Sequence, residues 1–348
     1  MAGPVQVAVT GASGYIALHV IAELLDAGYA VRGTLRDMSR GEAIRAALSR
    51  QTETSNLSFT QCDLMSDDGW DAAFAGCEYV HHVASPVPIV EPKDHDDLII
   101  PARDGALRAL GAASRAGVKR VVMTSSVAAI GYGHNGKEDF TEADWSNVVP
   151  EIGAYAASKT IAERAAWDFI RDLPDTGMDS GTDTGAMELV TSNPSFVIGP
   201  LIDPDGSASI ELVRKLLARE VPGSPKFGVS LVDVRDVATA HVTAMTAPQA
   251  AGNRYICSTE FRWMAQLAEQ LNNDFGPRGY PVSTRVLPNF VVRLVGLFDA
   301  AVGRIVPDLG QRKNYINHAI RKDLNWQTRE MDLTVRETGE SLLALKVV

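Results

Sequence analysis

A strand, a glycine turn and a helix occupy the first 25 residues, and this combination constrains the fold more than any other feature. Residues 5–9 form a short β-branched run, which is typical of a buried parallel strand. Gly11 and Gly14 follow where the chain has to turn, and residues 16–25 have the apolar spacing of a helix. Because the first N–H groups of a helix are unpaired and lie at the positive end of its dipole, the turn predicts a phosphate site. The spacing Gly11-x-x-Gly14-x-x-Ala17 also fits an ordinary strand-to-helix loop, and alone it does not decide between the two.

Predicted strands and helices alternate after this turn. The predicted strands are residues 30–36, 57–62, 78–83, 119–124 and 188–191. The predicted helices are residues 16–25, 40–50, 70–74, 99–116 and 152–171. This alternation predicts an α/β protein with a doubly wound parallel sheet, the Rossmann arrangement. Residues 173–186 are rich in Asp, Gly and Thr and predict an exposed loop.

The alternation breaks down from Asn193, and we interpret the remainder as a smaller, discontinuous C-terminal substrate lobe. The predicted helices of this part are residues 209–219, 264–275 and 288–302. Residues 232–237 are expected to begin a helix that rejoins the main domain. The resulting division is a dinucleotide-binding domain of residues 1–192, rejoined by about 229–257, and a lobe of residues 193–228 and 258–348.

Composition restricts the partners and the compartment. The formal net charge of −10 argues against nucleic acid and anionic membranes, which attract a basic face. No apolar run reaches the ~18 residues of a membrane span, and residues 1–4 leave no room for a signal peptide before the first strand. Cys62, Cys77 and Cys257 are widely spaced, as expected of reduced thiols. We therefore expect a cytoplasmic protein without a nucleic-acid or membrane partner.

Tyr155 and Lys159 form a candidate catalytic pair on the predicted helix 152–171. Residues at i and i+4 lie on one helix face, so the ammonium is expected to lower the tyrosine pKa from its ordinary ~10. Tyr155 would then be the general acid for a developing alkoxide. A Tyr-x-x-x-Lys pair on its own is more often a solvated surface pair.

Hydroxyl side chains follow the predicted strand 119–124, at Thr124, Ser125 and Ser126. Ligands of an open α/β sheet bind outside the carboxyl ends of its strands, so a hydroxyl here can reach a substrate. Hydroxyls that merely satisfy backbone groups at a strand end are the alternative. We predict that Ser126 donates to the substrate oxygen, although Ser125 lies beside it.

Arginines follow the second predicted strand, where a dinucleotide site distinguishes NAD from NADP. An acidic residue there binds the ribose hydroxyls of NAD, whereas arginine binds the 2′-phosphate of NADP. Arg36 ends the strand and Arg40 lies in the next turn, with Asp37 between them as a possible acid for NAD. Two guanidinium groups against one carboxylate favour NADPH.

These residues together resemble an extended short-chain dehydrogenase/reductase, through Gly11-x-x-Gly14-x-x-Ala17, Asp63-Leu64, residues 124–126 and Tyr155-x-x-x-Lys159. Within that family the chain is most similar to the dihydroflavonol reductase, cinnamoyl-CoA reductase and methylglyoxal (aldehyde) reductase branch. The stretches that carry the narrower similarity are residues 82–86, 165–169, 193–197, 232–238 and 261–276. The resemblance covers nearly the whole chain.

The resemblance implies a catalytic triad of Ser126, Tyr155 and Lys159 and a site for NADPH or NADP+. Lys159 would also bond the nicotinamide ribose, while the glycine turn and Asp63-Leu64 would hold the pyrophosphate and adenine. The implied cofactor-binding residues are Gly11, Ser13, Gly14, Tyr15, Ile16, Arg36, Arg40, Asp63, Leu64, Val83, Ala84, Ser85, Thr124, Tyr155, Lys159, Pro194 and Val197. The implied enzyme is an NADPH-dependent carbonyl reductase, reversibly an alcohol dehydrogenase, with a small-molecule carbonyl or alcohol partner, as a monomer or homodimer.

Some residues differ from the pattern of the family, and these differences bear on the size and polarity of the expected substrate. Plant flavonoid reductases carry an asparagine shortly after the catalytic serine, and residues 127–130 here are Val-Ala-Ala-Ile, so a smaller or more apolar carbonyl compound is favoured. The apolar run 290–298 is expected either to wall the substrate pocket or to pack in the core. The histidines lack metal-ligand spacing, and no metal is expected.

Two other functions stay open at this point. A sugar-nucleotide epimerase or dehydratase shares the triad but retains bound NAD, and Arg36 with the apolar lobe counts against it. A non-catalytic NADP-sensing regulator on the same fold needs no Tyr155–Lys159 pair, which argues against that function.

Overall fold

The structure is a computed structural model that describes residues 3–86, 92–174 and 187–348. The predicted loop 173–186 lies outside the described residues from position 175 onward. The strands of the described residues are β1 Gln6–Val9, β2 Ala30–Leu35, β3 Leu57–Gln61, β4 Tyr79–His82, β5 Arg120–Thr124, β6 Asp139–Phe140, β7 Glu188–Pro194, β8 Phe196–Ile198, β9 Gly228–Asp233, β10 Arg254–Cys257, β11 Glu260–Trp263 and β12 Asn314–Tyr315. The helices are α1 Tyr15–Asp26, α2 Gly41–Leu48, α3 Trp70–Phe74, α4 Asp96–Arg115, α5 Gly153–Arg171, α6 Ala208–Leu217, α7 Val234–Thr246, α8 Met264–Phe275, α9 Asn289–Val295, α10 Ala300–Ile305, α11 His318–Leu324 and α12 Met331–Ala344.

Seven strands form the central sheet in the order β10-β7-β5-β4-β1-β2-β3, and every neighbouring pair is parallel. The strand order reverses between β1 and β4, so the loops that follow these two strands diverge and leave a crevice at the carboxyl edge of the sheet. The predicted doubly wound parallel sheet is confirmed.

Two hydrophobic cores cover the two faces of this sheet. One core joins the inward side chains of α1 and α7, such as Ile21 and Val237, with those of the lobe helices, such as Leu271 and Leu342. The other core lies beneath α3, α4 and α5. The small residues of α4, Ala106 among them, allow α4 and α5 to pack closely. Both faces are therefore buried, which explains why the strands are almost continuously apolar.

The lobe is built on a three-stranded sheet in the order β11-β9-β8, with α6, α8 and α12 around it. β9 ends at Asp233, and α7 begins directly after it with the Asp233 carboxylate accepting from the Arg235 N–H at 2.8 Å. The start of a helix predicted within residues 232–237 therefore lies at Val234, because Asp233 is its N-cap. The domain boundaries themselves stay a prediction.

Two predicted helices differ from the observed ones. α4 begins at Asp96, three residues before the predicted start, with acidic side chains in its first turn, where the helix dipole favours them. The single helix predicted over 288–302 is wrong, because α9 ends at Val295 and α10 begins at Ala300. The chain folds back there at Gly296, where a Cβ would lie 3.1 Å from the Cα of Gly303.

Most side chains of the apolar run 290–298 are exposed, although Val292 is buried. Phe290 is 73% exposed and Phe298 is 87% exposed, so the expectation of core packing is wrong for these side chains. Every helix among the described residues is too short or too polar to cross a bilayer.

Candidate active site

The turn between β1 and α1 forms the floor of the crevice. Gly11 has a φ of +68°, and a Cβ at this position would lie 3.0 Å from the Cβ of Ala84, which follows β4. Glycine is required here because the positive φ and the close approach both exclude a side chain. The two loops that border the crevice, after β1 and after β4, are thus in direct contact.

The positive end of α1 faces this turn without a side-chain cap. Its N-cap residue, Gly14, makes no side-chain hydrogen bond, and its first turn contains no acidic residue. Gly14 is exposed, and Ser13 and Ile16 are partly exposed, so a ligand can reach the backbone there. Tyr15 differs from the prediction in one respect: its buried side chain turns away and donates to the carbonyl of Gly199 at 2.9 Å, which leaves only its backbone for a ligand.

Arg36 and Arg40 lie at the end of β2, as the sequence predicts, and Arg36 is exposed. Arg40 forms an ion pair with Asp205 at 2.7 Å and lies 3.7 Å from Asp203, both in the loop before α6. The carboxylate of Asp37 accepts from the Ser39 N–H at 2.9 Å, and its pKa is lowered by the side chain and then by the backbone N–H of Ser39. Asp37 thus caps a short helical turn rather than standing free for a ribose.

The remaining predicted cofactor residues follow β3 and β4. Asp63 accepts from the Met65 N–H at 2.9 Å, and Leu64 packs against α4 at Gly105, where a Cβ would lie 2.8 Å from it. Val83, Ala84 and Ser85 are partly exposed at the crevice. The N–H of Ala84 donates to the hydroxyl of Thr10 at 3.0 Å, which fixes the start of this loop.

Ser125 and Ser126 point in different directions at the end of β5. The buried Ser125 hydroxyl donates to Glu163 at 2.5 Å, away from the crevice. Ser126 accepts from the Ala128 N–H at 3.0 Å, and it lies near enough to Tyr155 to lower the pKa of the tyrosine. Thr124 lies 3.0 Å from Nε2 of the buried His241 in α7, so its hydroxyl is already engaged. Of the three hydroxyls, Ser126 is the one that lies beside Tyr155, and its catalytic role stays a prediction.

Tyr155 and Lys159 lie on one face of α5, and the Lys159 Nζ is 5.8 Å from the centre of the tyrosine ring. Lys159 is only 7% exposed, and burial lowers its pKa to about 8, against the opposing effect of Glu163. Burial also raises the pKa of Tyr155, more than its hydrogen bond from Ser126 lowers it. The expected lowering of the Tyr155 pKa is therefore wrong for this structure, because desolvation outweighs the lowering effect of Ser126.

The segment after β7 supplies the far wall of the crevice. Pro194 and Val197 are buried, and the carbonyl of Val197 accepts from the Ser209 hydroxyl at 2.5 Å. Ser195 lies between them, and its buried hydroxyl has no hydrogen-bond partner within the part of the chain that the structure describes. An unsatisfied buried hydroxyl at this position is available to a ligand.

The sequence did not point to Glu163, Asn193 or Arg254 as site residues. Glu163 is fully buried behind Ser126, and both Asn193 and Arg254 bond to it, at 2.7 and 2.6 Å. The available signal was its spacing, since Glu163 lies four residues beyond Lys159 on the same face of α5.

The model of the NAD dependent epimerase/dehydratase family matches residues 7–257. The chain is 33% identical to tetraketide alpha-pyrone reductase 2 of Arabidopsis thaliana over 279 residues, which cover 77% of this chain and 82% of the relative. It is 35% identical to cinnamoyl-CoA reductase 1 of the same plant over 286 residues, 80% of this chain and 77% of the relative.

A solved structure is similar over almost the whole chain. It is the crystal structure of yeast methylglyoxal/isovaleraldehyde reductase Gre2 complexed with NADPH, with a TM-score of 0.78 and 27% identity. The match covers 98% of this chain and 99% of the yeast chain, so it includes the C-terminal lobe as well as the central sheet.

Proposed function

The chain belongs to the NAD dependent epimerase/dehydratase family, the extended short-chain dehydrogenases/reductases, and we propose that it is an NADPH-dependent reductase of aldehydes or ketones. The observation that carries this proposal is the pairing of Tyr155 and Lys159 on one face of α5, with the Lys159 Nζ 5.8 Å from the centre of the tyrosine ring and Ser126 beside Tyr155. Two hydroxyl donors beside a buried cation suit an oxygen atom on which negative charge develops.

The residues around the crevice fit a bound dinucleotide. The uncapped end of α1 and the glycine at position 11 leave room and N–H donors for the pyrophosphate. Arg36 and Arg40 supply guanidinium groups for the 2′-phosphate of NADPH. The unsatisfied Ser195 hydroxyl is a hydrogen-bonding group for the nicotinamide end. The NADPH-bound yeast relative supports the same cofactor.

Each catalytic side chain has a distinct role in the proposed reduction. When bound, NADPH supplies the hydride that reduces the carbonyl carbon. Ser126 and Tyr155 donate hydrogen bonds to the carbonyl oxygen, and Tyr155 gives it a proton as general acid. The raised pKa of Tyr155 keeps this proton in place at neutral pH. Lys159, with a pKa of about 8, is mostly protonated at pH 7 and stabilises the developing negative charge.

The loop beyond Ser126 supports a small or apolar substrate. Val127, Ala129 and Ile130 are buried in a short 3₁₀ turn and the residue after it, and present no polar side chain to the site. The relatives are named as reductases of a tetraketide pyrone, a cinnamoyl thioester and short aldehydes, all of which carry a carbonyl group. We therefore propose a carbonyl compound as the substrate class.

Initial rates of NADPH and NADH consumption test this function against a panel of short aldehydes, diketones, aryl ketones and a dihydroflavonol. Consumption of NADPH with at least one aldehyde or ketone is expected. Protein that purifies with bound NAD and oxidises neither cofactor would instead indicate an epimerase or dehydratase. Protein that binds NADP without turning over any substrate would indicate a sensor.

A further inference from the structure

A buried carboxylate lies directly behind the proposed catalytic residues. Glu163 is 0% exposed and follows Tyr155 and Lys159 on the same face of α5, at steps of four residues. A charged group is retained in a protein interior only when it is paired and hydrogen-bonded, since burial without partners is very unfavourable. Because Glu163 lies next to the site, its hydrogen-bond partners show which site residues it can hold in place.

Both oxygens of Glu163 accept short hydrogen bonds from other elements. Oε2 accepts from the Ser125 hydroxyl at 2.5 Å and from Asn193 Nδ2 at 2.7 Å. Oε1 accepts from Arg254 Nε at 2.6 Å and from the Thr191 hydroxyl at 3.0 Å. The carboxylate thus joins the residue that follows β5, two residues of β7 and the first residue of β10.

The bonds from Ser125 and Asn193 to Glu163 fix the backbone of Ser126 on the side of β5 and β7. The Ser125 contact fixes the residue that precedes Ser126, whereas Asn193 uses its second N–H to donate to the Ser126 carbonyl at 3.2 Å. The backbone of Ser126 is therefore held through two side chains that share one carboxylate oxygen.

Arg254 extends the same network to the loop on the other side of Ser126. Its Nη1 donates to the carbonyls of Glu142 and Asp144 at 2.6 and 2.7 Å, and its guanidinium lies 3.7 Å from the centre of the Trp145 ring. The next residue, Ser146, donates from its N–H to the Ala129 carbonyl at 2.9 Å and from its hydroxyl to the Ala128 carbonyl at 2.8 Å. The segment that follows Ser126 is thereby anchored to Glu163 as well.

We propose that Glu163 is a positioning residue, which holds Ser126 in hydrogen-bond reach of Tyr155 and supplies the negative charge that faces Lys159. The inference rests on the proposed reductase function and assigns Glu163 no contact with substrate or cofactor. Within the described residues, the charged and titratable groups around Lys159 are Tyr155 and Glu163 on α5 and His82 at the end of β4, with Arg254 paired to Glu163 behind them.

The first test replaces Glu163 by glutamine, which keeps the size of the side chain and removes its charge. A displacement of reacting groups by about 1 Å can lower a rate by ~10²-fold, so we expect kcat of Glu163→Gln to fall by about 10- to 100-fold. The KM for NADPH should stay within about twofold because no cofactor residue is altered. The alkaline limb of the kcat profile should move to lower pH, since Glu163 opposes the burial that lowers the pKa of Lys159.

Glu188→Gln is the matched control. Glu188 also pairs with an arginine of the central sheet, Arg120 at 2.6 Å, but at the amino ends of β5 and β7, away from the site. Its removal should leave kcat and the pH profile unchanged. Equal kcat and an unshifted pH profile in Glu163→Gln would overturn the proposal.

The variant Glu163→Gln/Arg254→Gln covers the case in which the single change prevents folding, because it leaves no unpaired buried charge. A folded double variant that has a lower kcat, and whose kcat profile has its alkaline limb at lower pH, supports positioning by Glu163. Parental kcat and pH profile in the double variant would mean that Glu163 serves only as a partner for Arg254, and would overturn the proposal.

A parent protein that reduces no carbonyl compound would overturn the proposed function itself, whereas an active parent with an unaffected Glu163→Gln variant would overturn this inference alone.

Discussion

The guanidinium of Arg40 lies 2.7 Å from the carboxylate of Asp205, although Arg40 follows β2 of the central sheet and Asp205 precedes α6 of the lobe. A side chain that we propose to bind the 2′-phosphate of NADPH therefore already has an anionic partner. The phosphate has to share or displace that partner. The ion pair also connects the two walls of the crevice at its ribose end.

Asp205→Asn should favour NADPH. Exposed ion pairs contribute about 0.2–1 kcal/mol, so we expect the KM for NADPH to fall by roughly two- to fivefold. The KM for NADH should not change, since NADH has no 2′-phosphate. Steady-state kinetics with both cofactors measure this, and an equal change for both would show that Arg40 does not face the phosphate.

Arg36→Ala should have the opposite effect. Charge-assisted bonds between arginine and phosphate are about twice as strong as neutral hydrogen bonds, so the KM for NADPH should rise by about 10- to 100-fold. NADH serves as the internal control and should be affected by less than about twofold. A matching loss with NADH would place the phosphate elsewhere.

Tyr155→Phe should remove most of the activity without preventing cofactor binding. General acid catalysis contributes about 10²- to 10⁴-fold, and kcat should fall within that range. The Kd for NADPH, measured by fluorescence titration, should remain near the parental value. Tyr29→Phe is the control and should be fully active, because Tyr29 lies in the turn between α1 and β2, directly before the amino end of β2. Retained activity in Tyr155→Phe would contradict the proposed general acid.

Gly11→Ala should weaken both cofactors, and Gly28→Ala separates strain from steric contact. Both glycines have a positive φ, +68° and +87°, but only Gly11 has a neighbour within 4 Å of an added Cβ. Each substitution should lower the free energy of unfolding by about 1 kcal/mol through the backbone conformation. Only Gly11→Ala should also raise the Kd for NADPH and NADH, which titration of both variants would show.

Acid should destabilise the protein through its buried histidines. Burial lowers the pKa of His19 to about 4, against about 6.5 in the unfolded chain. The unfolded chain therefore binds the extra proton between these values, and stability falls as pH decreases through that range. His19→Gln keeps a donor for the carbonyl of Pro200 and cannot titrate. Urea unfolding at pH 7 and pH 5 should show a loss of stability smaller by about 2 kcal/mol in the variant than in the parent. An identical loss in both would contradict this assignment.

Local sequence patterns were sufficient to predict most of the fold and part of the candidate site. The strand at residues 6–9, the turn at Gly11 and the helix after it follow from residues that are adjacent in the chain, and their periodicity is visible without a structure. Tyr155 and Lys159 share a face for the same reason, because a spacing of four is one helical turn. The break between α9 and α10 was missed because apolar spacing continues across Gly296, while the reversal depends on a contact with Gly303.

The sequence by itself determined a doubly wound sheet, a glycine turn between strand and helix, and a Tyr–Lys pair on one helix face, since each follows from residues close together in the chain. Only the tertiary structure decided which serine faces Tyr155, which carboxylates surround Arg40, and that Glu163 gathers its partners behind the site. Glu163 and Arg254 are 91 residues apart in the chain and 2.6 Å apart in space. Such a pair arises only when distant strands and helices pack together. The burial that raises the pKa of Tyr155 is likewise a property of the packed site, which no spacing along the chain contains.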